Sequence, residues 1–305
     1  MPTMARDARL THLRQLSLEL INSDRANEGL QLVVLGDNPA AQLHADEMLK
    51  HNYAGHWWVN GSKPYMVYSR TGGTSYALEN AVAEGYTDQK WAAMGCGDSQ
   101  ANCHTPVPEA AIEDLHRAMT DSEEDSGGVR RDRILGPGHR TVNIGIAWND
   151  RRVVFVQHFE GGSAEALGPP ILIDKRTLIF SMVKREPGVK VAGVVSVFYD
   201  PPPQSLSPSA INALASYCTG GGPTVECGAP AMRVLRRLEA GHFYTDLSPN
   251  EIVATDWQDS DNAFTFSAEV GHLMQKPGVY TIVVWRDRGD GELEEKLVEL
   301  SVFVE

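Results

Sequence analysis

Hydrophobic and polar positions follow two different rules along this chain. From Arg6 to Ala26, Leu10, Leu13, Leu16, Leu18, Leu20 and Ile21 fall mostly on one stripe at three- and four-residue steps, which predicts an amphipathic helix. Leu32 to Leu35 is a short apolar extension. A second helix is predicted from Pro39, a proline that a first turn tolerates, to about Lys50, with Leu43, Ala45, Met48 and Leu49 as its apolar or small positions. Leu78 to Glu84 is short and helical in composition, and Pro108 to Met119 sets Ala111, Leu115 and Met119 along one helical face. Two β-type runs follow, Val142 to Trp148 and Val153 to Phe159, joined by a polar hairpin at Asn149 to Arg152. Helices flanking a small antiparallel sheet make this half an α+β sandwich.

Past Pro169 and Pro170 the pattern changes to short β-rich runs: 171–173, 177–183, 191–199, 252–255, 263–270, 279–285 and 297–304. Turn signals such as Glu186-Pro187-Gly188 and Lys276-Pro277-Gly278 separate them, and Pro208 to Tyr217 predicts one short helix. About seven such strands in ~140 residues predict an all-β sandwich of immunoglobulin-like type. The expected division is 1–162 and 163–305, two domains in 305 residues.

Charge and cysteine usage narrow the function. The net charge is −13, from 40 acidic and 27 basic side chains, and no Lys/Arg-rich run offers to neutralise phosphates, so nucleic acid is excluded as an expected partner. No apolar run approaches the ~20 residues of a membrane span. The start, MPTMARDARLTHLRQLSLEL, reads as an amphipathic helix instead of a signal peptide, leaving either a cytoplasmic protein or an exported one whose signal lies outside this sequence. The four cysteines fall in two local pairs, Cys96 with Cys103 and Cys218 with Cys227, in Gly-rich loops. Loop-closing disulfides in an oxidising compartment fit that spacing; other pairings stay open, because four cysteines allow three. Zinc on Cys96, Cys103 and His104 fits less well, since the gap between the cysteines is wider than a zinc knuckle uses.

The chemistry concentrates in the stretch His44 to Gly85. His56 sits in a Gly- and aromatic-rich segment and Glu79 beyond it, an imidazole and a carboxylate able to hold a cation, orient a water or bond each other. Within and around it run LINSDRANEGLQLVVL (20–35), HADEMLKHNY, His56-Trp57, Lys63-Pro64-Tyr65, Gly72-Gly73 and Glu79-Asn80-Ala81. Later come Arg131-Asp132-Arg133-Ile134-Leu135, Val142 to Trp148 and Val156-Gln157-His158-Phe159-Glu160. In this order and spacing, up to about Glu160, they resemble the CAP superfamily, the SCP-like extracellular domain of cysteine-rich secretory proteins, antigen-5 allergens and pathogenesis-related proteins, and especially its prokaryotic members.

The resemblance implies an α-β-α sandwich for 1–162 and a cleft with two histidines and two acidic residues able to coordinate zinc or another divalent cation. His56 and Glu79 map onto the first histidine and the glutamate. Arg130 stands where the second histidine is expected, and a guanidinium has no lone pair to donate; it is expected instead to pair with Glu79. His139 is the replacement imidazole, and Glu123, with Asp121 and Glu124 beside it, the second acid. The expected metal set is therefore His56, Glu79 and His139. Each of these also has a plain structural reading: His56 as a half-buried histidine beside Trp57 and Trp58, Glu79 as a helix N-terminal carboxylate, and the run from Asp121 to Asp125 as a solvated loop. Trp57, Trp58, Tyr65 and Tyr68 read as core or cleft wall. Asn22 and Arg25 read as turn-stabilising polar groups. His12, His44, His51, His242 and His272 receive no role.

Three functions compete: an extracellular binding module for a lipid, polysaccharide or protein ligand, with the β-sandwich as attachment domain; a hydrolase, most simply a peptidase, using His56 and Glu79; and a purely structural interaction protein. The family's fold is associated with sterol and fatty-acid binding, metal binding and disputed proteolysis, so the resemblance does not select among them. No G-x-S-x-G context and no H-E-x-x-H helix supports hydrolysis, which places the binding module first.

Overall fold

The computed structural model describes residues 3–94, 96, 103, 105–121, 128–214, 216–220, 227–287, 289 and 295–305. The chain is an α+β protein, with helices around a mixed sheet first and two mainly antiparallel sheets afterwards. It forms two compact units. The first comprises Met1–Pro64, Leu78–Glu160 and Ser205–Ala215; the second comprises Tyr65–Ala77, Gly161–Gln204 and Ser216–Glu305.

In order, the chain forms α1 (Thr3–Asn27), β1 (Val34–Leu35), α2 (Ala40–His51), α3 (Pro64–Arg70), β2 (Ala77–Gly85), α4 (Asp88–Ala93), α5 (Pro108–Asp121), α6 (Val129–Ile134), β3 (His139–Trp148) and β4 (Arg152–Gly161). Then follow β5 (Ala164–Ala166), β6 (Ile171–Ile173), β7 (Thr177–Lys184), β8 (Val191–Asp200), α7 (Pro208–Ala213), β9 (Ala229–Leu235), β10 (Glu251–Val253), β11 (Asp256–Asp259), β12 (Ala263–Glu269), β13 (Gly278–Arg286) and β14 (Lys296–Val304).

The first unit is built on a sheet ordered β1-β3-β4-β2, with β1 parallel to β3. Because side chains alternate across a strand, β3 and β4 feed two cores. Val142, Ile144, Ile146, Phe155 and Phe159 pack with Leu13 and Ile21 of α1 and with Ile112 and Met119 of α5. Ala147, Val154 and Val156 face the other way, onto Ala41, Ala45 and Met48 of α2 and Ile211 of α7. In α1, Leu13, Ser17, Ile21 and Arg25 recur every four residues with no exposure at all. Arg25 donates to the carbonyls of Gln31, Ile134 and Gly136, and Asn22 bonds both main-chain groups of Val33, so both are structural polar groups at the helix end. Helix α2 lies close on β3 because residue 145 is glycine; a Cβ there would collide with the Ala41 carbonyl. Its end is set by Asn52, left-handed at φ 58°, whose N–H bonds to the Met48 carbonyl.

Residues 77–85 are a strand, not the helix their composition predicts. Five of the seven residues 78–84 are the helix formers Leu, Glu and Ala, but hydrogen bonding to β4 overrides a per-residue preference of a few tenths of a kcal/mol. The predicted loop 86–107 also contains α4, started by Thr87, whose hydroxyl accepts from the Lys90 N–H.

The second unit contains two sheets, β10-β9-β8-β13-β14 and β11-β12-β7-β5, with β6 also on β7. Leu178, Phe180 and Met182 of β7 alternate inward against Phe264, Phe266 and Ala268 of β12. Helix α3 belongs here through Tyr65 and Met66, which pack with Val279, and the Tyr65 hydroxyl donates to Asp200 at 2.6 Å. Both cysteine pairs are disulfides, Cys96–Cys103 and Cys218–Cys227, with Cα separations of 5.7 and 4.5 Å. Those bonds remove Cys96 and Cys103 as thiolate ligands, and they fit an oxidising environment.

Candidate functional site

Three elements of the first unit meet at one carboxylate. Along β2 the odd-numbered side chains face α2, so Glu79 shares a face with Ala81. Along β4 the even-numbered side chains do the same, so His158 continues the row of Val154 and Val156. From α2, His44 comes down on the buried stripe of Ala41, Ala45 and Met48. The loop after α2 then returns His56 to the same point.

Glu79 is fully buried and accepts three hydrogen bonds from imidazoles. Its Oε2 receives His44 Nδ1 at 2.7 Å and His158 Nε2 at 2.7 Å, and its Oε1 receives His56 Nδ1 at 2.8 Å. His44 and His158 are buried as well, while His56 keeps 14% of its side chain exposed and forms the outer wall. Trp58 stacks on the His44 ring with centroids 4.9 Å apart, and Lys63 lies over Trp57 at 5.0 Å. Arg133 donates to the main-chain carbonyl of Glu79.

Burial alone pushes the Glu79 carboxyl up. Electrostatic attraction to His44 and the hydrogen bonds from His158, His44 and His56 reverse that and hold it well below the ordinary carboxylate range. For His56 burial wins over its bond to Glu79, and its pKa falls, so the ring is neutral at pH 7. The site is thus a carboxylate anion enclosed by imidazoles.

Of the residues expected from sequence, His56 and Glu79 are brought together. His139 is not on Glu79. It packs on Phe159 with centroids 5.4 Å apart, in the core facing α1, where burial and then the Arg25 charge push its pKa down to about 4. Arg130 is joined to β2 through its main chain, its carbonyl accepting from Asn80; the guanidinium that reaches Glu79 is that of Arg133. Glu123 and Glu124 lie outside the described residues, and Asp121 is exposed at the end of α5. Trp57 and Trp58 are 5% and 9% exposed, walls and not a platform for a ligand.

His44 and His158 were missed for identifiable reasons. His44 sits at an apolar position of an amphipathic helix, where a histidine reads as core. His158 lies in a strand buried along most of its length, Arg152 to Phe159, so alternation does not announce which face it serves. A histidine on the apolar face of α2 and one on the α2-facing side of β4 was the available signal.

The donor set suits a divalent cation of the zinc type: two imidazoles and a carboxylate, with their ligand atoms within 4.8 Å of one another, and His56 Nδ1 on the same carboxylate. Ligand edges in a tetrahedral zinc site are roughly 3.4 Å, given bonds of about 2.0–2.1 Å, so an ion would have to open the two 2.7 Å contacts that His44 and His158 make with Glu79 Oε2. The supporting groups are less complete. His44 Nε2 and His158 Nδ1 are buried with no hydrogen-bond partner among the described residues. Metal-bound histidines usually donate that second N–H, and its loss commonly costs 10–100-fold in affinity.

No protein-family model matches this chain, and no curated protein sequence matches it either.

Proposed function

We propose that the protein is an exported, CAP-like binding module whose first unit takes up a divalent cation, zinc foremost, on His44, Glu79 and His158, with His56 as the outermost ligand. The observation that carries this reading is the convergence of three imidazole nitrogens on one fully buried, ionised carboxylate. Two disulfides support an extracellular setting, and no helix among the described residues is long and apolar enough to cross a membrane. A bound cation would supply positive charge to Glu79 and tie α2, β2 and β4 together. The second unit, with its two sheets, is read as an immunoglobulin-like attachment domain, and the ligand class as lipid, polysaccharide or protein.

Binding is favoured over hydrolysis by the state of Glu79. A general base must reach a substrate proton within about 3 Å, and this carboxylate is enclosed and already accepts three N–H groups.

Zinc titration by calorimetry on the purified protein tests the metal site. Because two ligand rings lack an acceptor for their second N–H, micromolar and not nanomolar affinity is expected. His44→Ala and His158→Ala are expected to abolish the heat, and His139→Ala to leave it unchanged. No zinc heat from the wild type, or equal heat from His158→Ala, would remove the cation from the proposal.

A further inference from the structure

The second unit carries an apolar surface that is exposed among the described residues. The connection from β9 to β10, residues 236–250, is exposed almost throughout, and Phe243 at 84% exposure is the most exposed large hydrophobic side chain described. Leu247 and Val253 are 45% and 36% exposed. With Tyr244 they line a concavity of about 400 Å³, and Arg236, Arg237 and His242 line an adjoining one of about 450 Å³. The loop is held in shape from within: the Tyr244 hydroxyl donates to the Arg236 carbonyl, Arg237 to the Thr255 carbonyl, and the His242 N–H to the Glu239 carbonyl.

Beside these concavities the sheet ends. Among the described residues strand β10 pairs only with β9, in parallel, with Glu251 opposite Arg233 and Val253 opposite Leu235. The ladder runs from the Arg233 N–H to the Asn250 carbonyl and from the Ala254 N–H to the Leu235 carbonyl. That register turns the N–H and carbonyl of Val253 away from β9, as an open edge.

We propose that this edge and loop bind an extended peptide segment that adds to β10 as a further strand, seating an apolar side chain against Phe243, Tyr244 and Leu247 and an acidic one against Arg236 and Arg237. Three observations converge on that occupant. An open edge recognises extended backbone through main-chain hydrogen bonds, and alternate side chains of an added strand reach pockets on one face. The apolar concavity has the size of small ligand pockets. The adjoining concavity is lined by two arginines, Arg236 and Arg237, against one acid, Glu239. A lipid surface fits less well, because the recognition elements are concave and the chain as a whole carries −13.

The test pans phage-displayed random heptapeptides on the full-length protein and measures the enriched sequences as fluorescein-labelled peptides by anisotropy. The expected consensus pairs an apolar with an acidic residue in an extended pattern. Phe243→Ser is expected to weaken binding at least tenfold and Arg236→Gln to remove the acidic preference. Val253→Pro, which deletes an N–H directed away from the ladder, is expected to weaken binding at least tenfold while the melting temperature stays within a few degrees. Absence of enriched peptides, or peptides that bind Phe243→Ser and Val253→Pro as well as wild type, overturns the proposal. So does binding to phosphatidylcholine vesicles that Phe243→Ser abolishes when no peptide binds, which would make the loop a lipid contact.

Discussion

Replacing Glu79 by glutamine removes the charge at the centre of the first unit while keeping its shape. The depressed pKa already states the balance: within the fold, the imidazoles favour the carboxylate by more than burial penalises it. Its ionisation therefore adds to stability at neutral pH. Hydrogen bonds to a charged acceptor are worth about 1.5–3 kcal/mol against about 0.5–1.5 for neutral pairs, so three of them lose roughly 3 kcal/mol when the charge goes. The amide also faces one of the three N–H donors with an NH₂. His56, with its ring partly exposed, is the one able to change tautomer and accept. Urea denaturation of Glu79→Gln at pH 7 is expected to show that loss. The sign with pH follows from linkage. The stabilisation is complete above the unfolded pKa of about 4.3 and is lost as pH falls through the much lower folded value, so the gap between the two proteins persists to about pH 4 and narrows only below it. A Glu79→Gln protein as stable as wild type at pH 7 would refute the argument and show that desolvation outweighs the three imidazoles.

Other consequences are equally direct. His139, pushed down to about 4 from an unfolded value near 6.5, makes the fold lose stability as pH falls through that window, by roughly 3 kcal/mol at pH 4; His139→Gln is expected to flatten the profile by that amount in urea midpoints measured from pH 7.5 to 4. Gly145→Ala sets a methyl group against the Ala41 carbonyl, backbone that cannot swing aside, and is expected to cost about 1–3 kcal/mol in thermal unfolding and to weaken zinc uptake by lifting His44 away from Glu79.

Much of the architecture was legible because its periods are clean. The stripe of α1, the span of α2 and the hairpin of β3 and β4 follow from apolar spacing, and so do seven strands of the second half, from β6 at Ile171–Ile173 to β14. Local composition failed where pairing decides the outcome. Strand β2 is spelled in helix-forming residues, β5 and β11 are too short to show a period, and β9 begins Ala-Pro-Ala, which argues against a strand until its place in the sheet is known. The site divides in the same way. His56 and Glu79 were reached through motif order, whereas His44 and His158 depend on which face of α2 and which face of β4 meet across the core. That is a tertiary fact, and it explains why His139, nearer in sequence to the expected position, was preferred to a histidine hidden among valines.

The interleaved composition of the two units bears on how such a chain changes over generations. Ile211, fully buried with Ala45, Met48 and Trp57, comes to the first unit from beyond residue 204, and Tyr65, buried with Val279, comes to the second from before residue 78. Neither unit is written as one uninterrupted reading segment, so a single crossover cannot pass either of them intact to another gene. A cut after β4 would strand Ile211 from the first unit's core and Tyr65 from the second's, so splitting the chain there costs each unit a buried side chain.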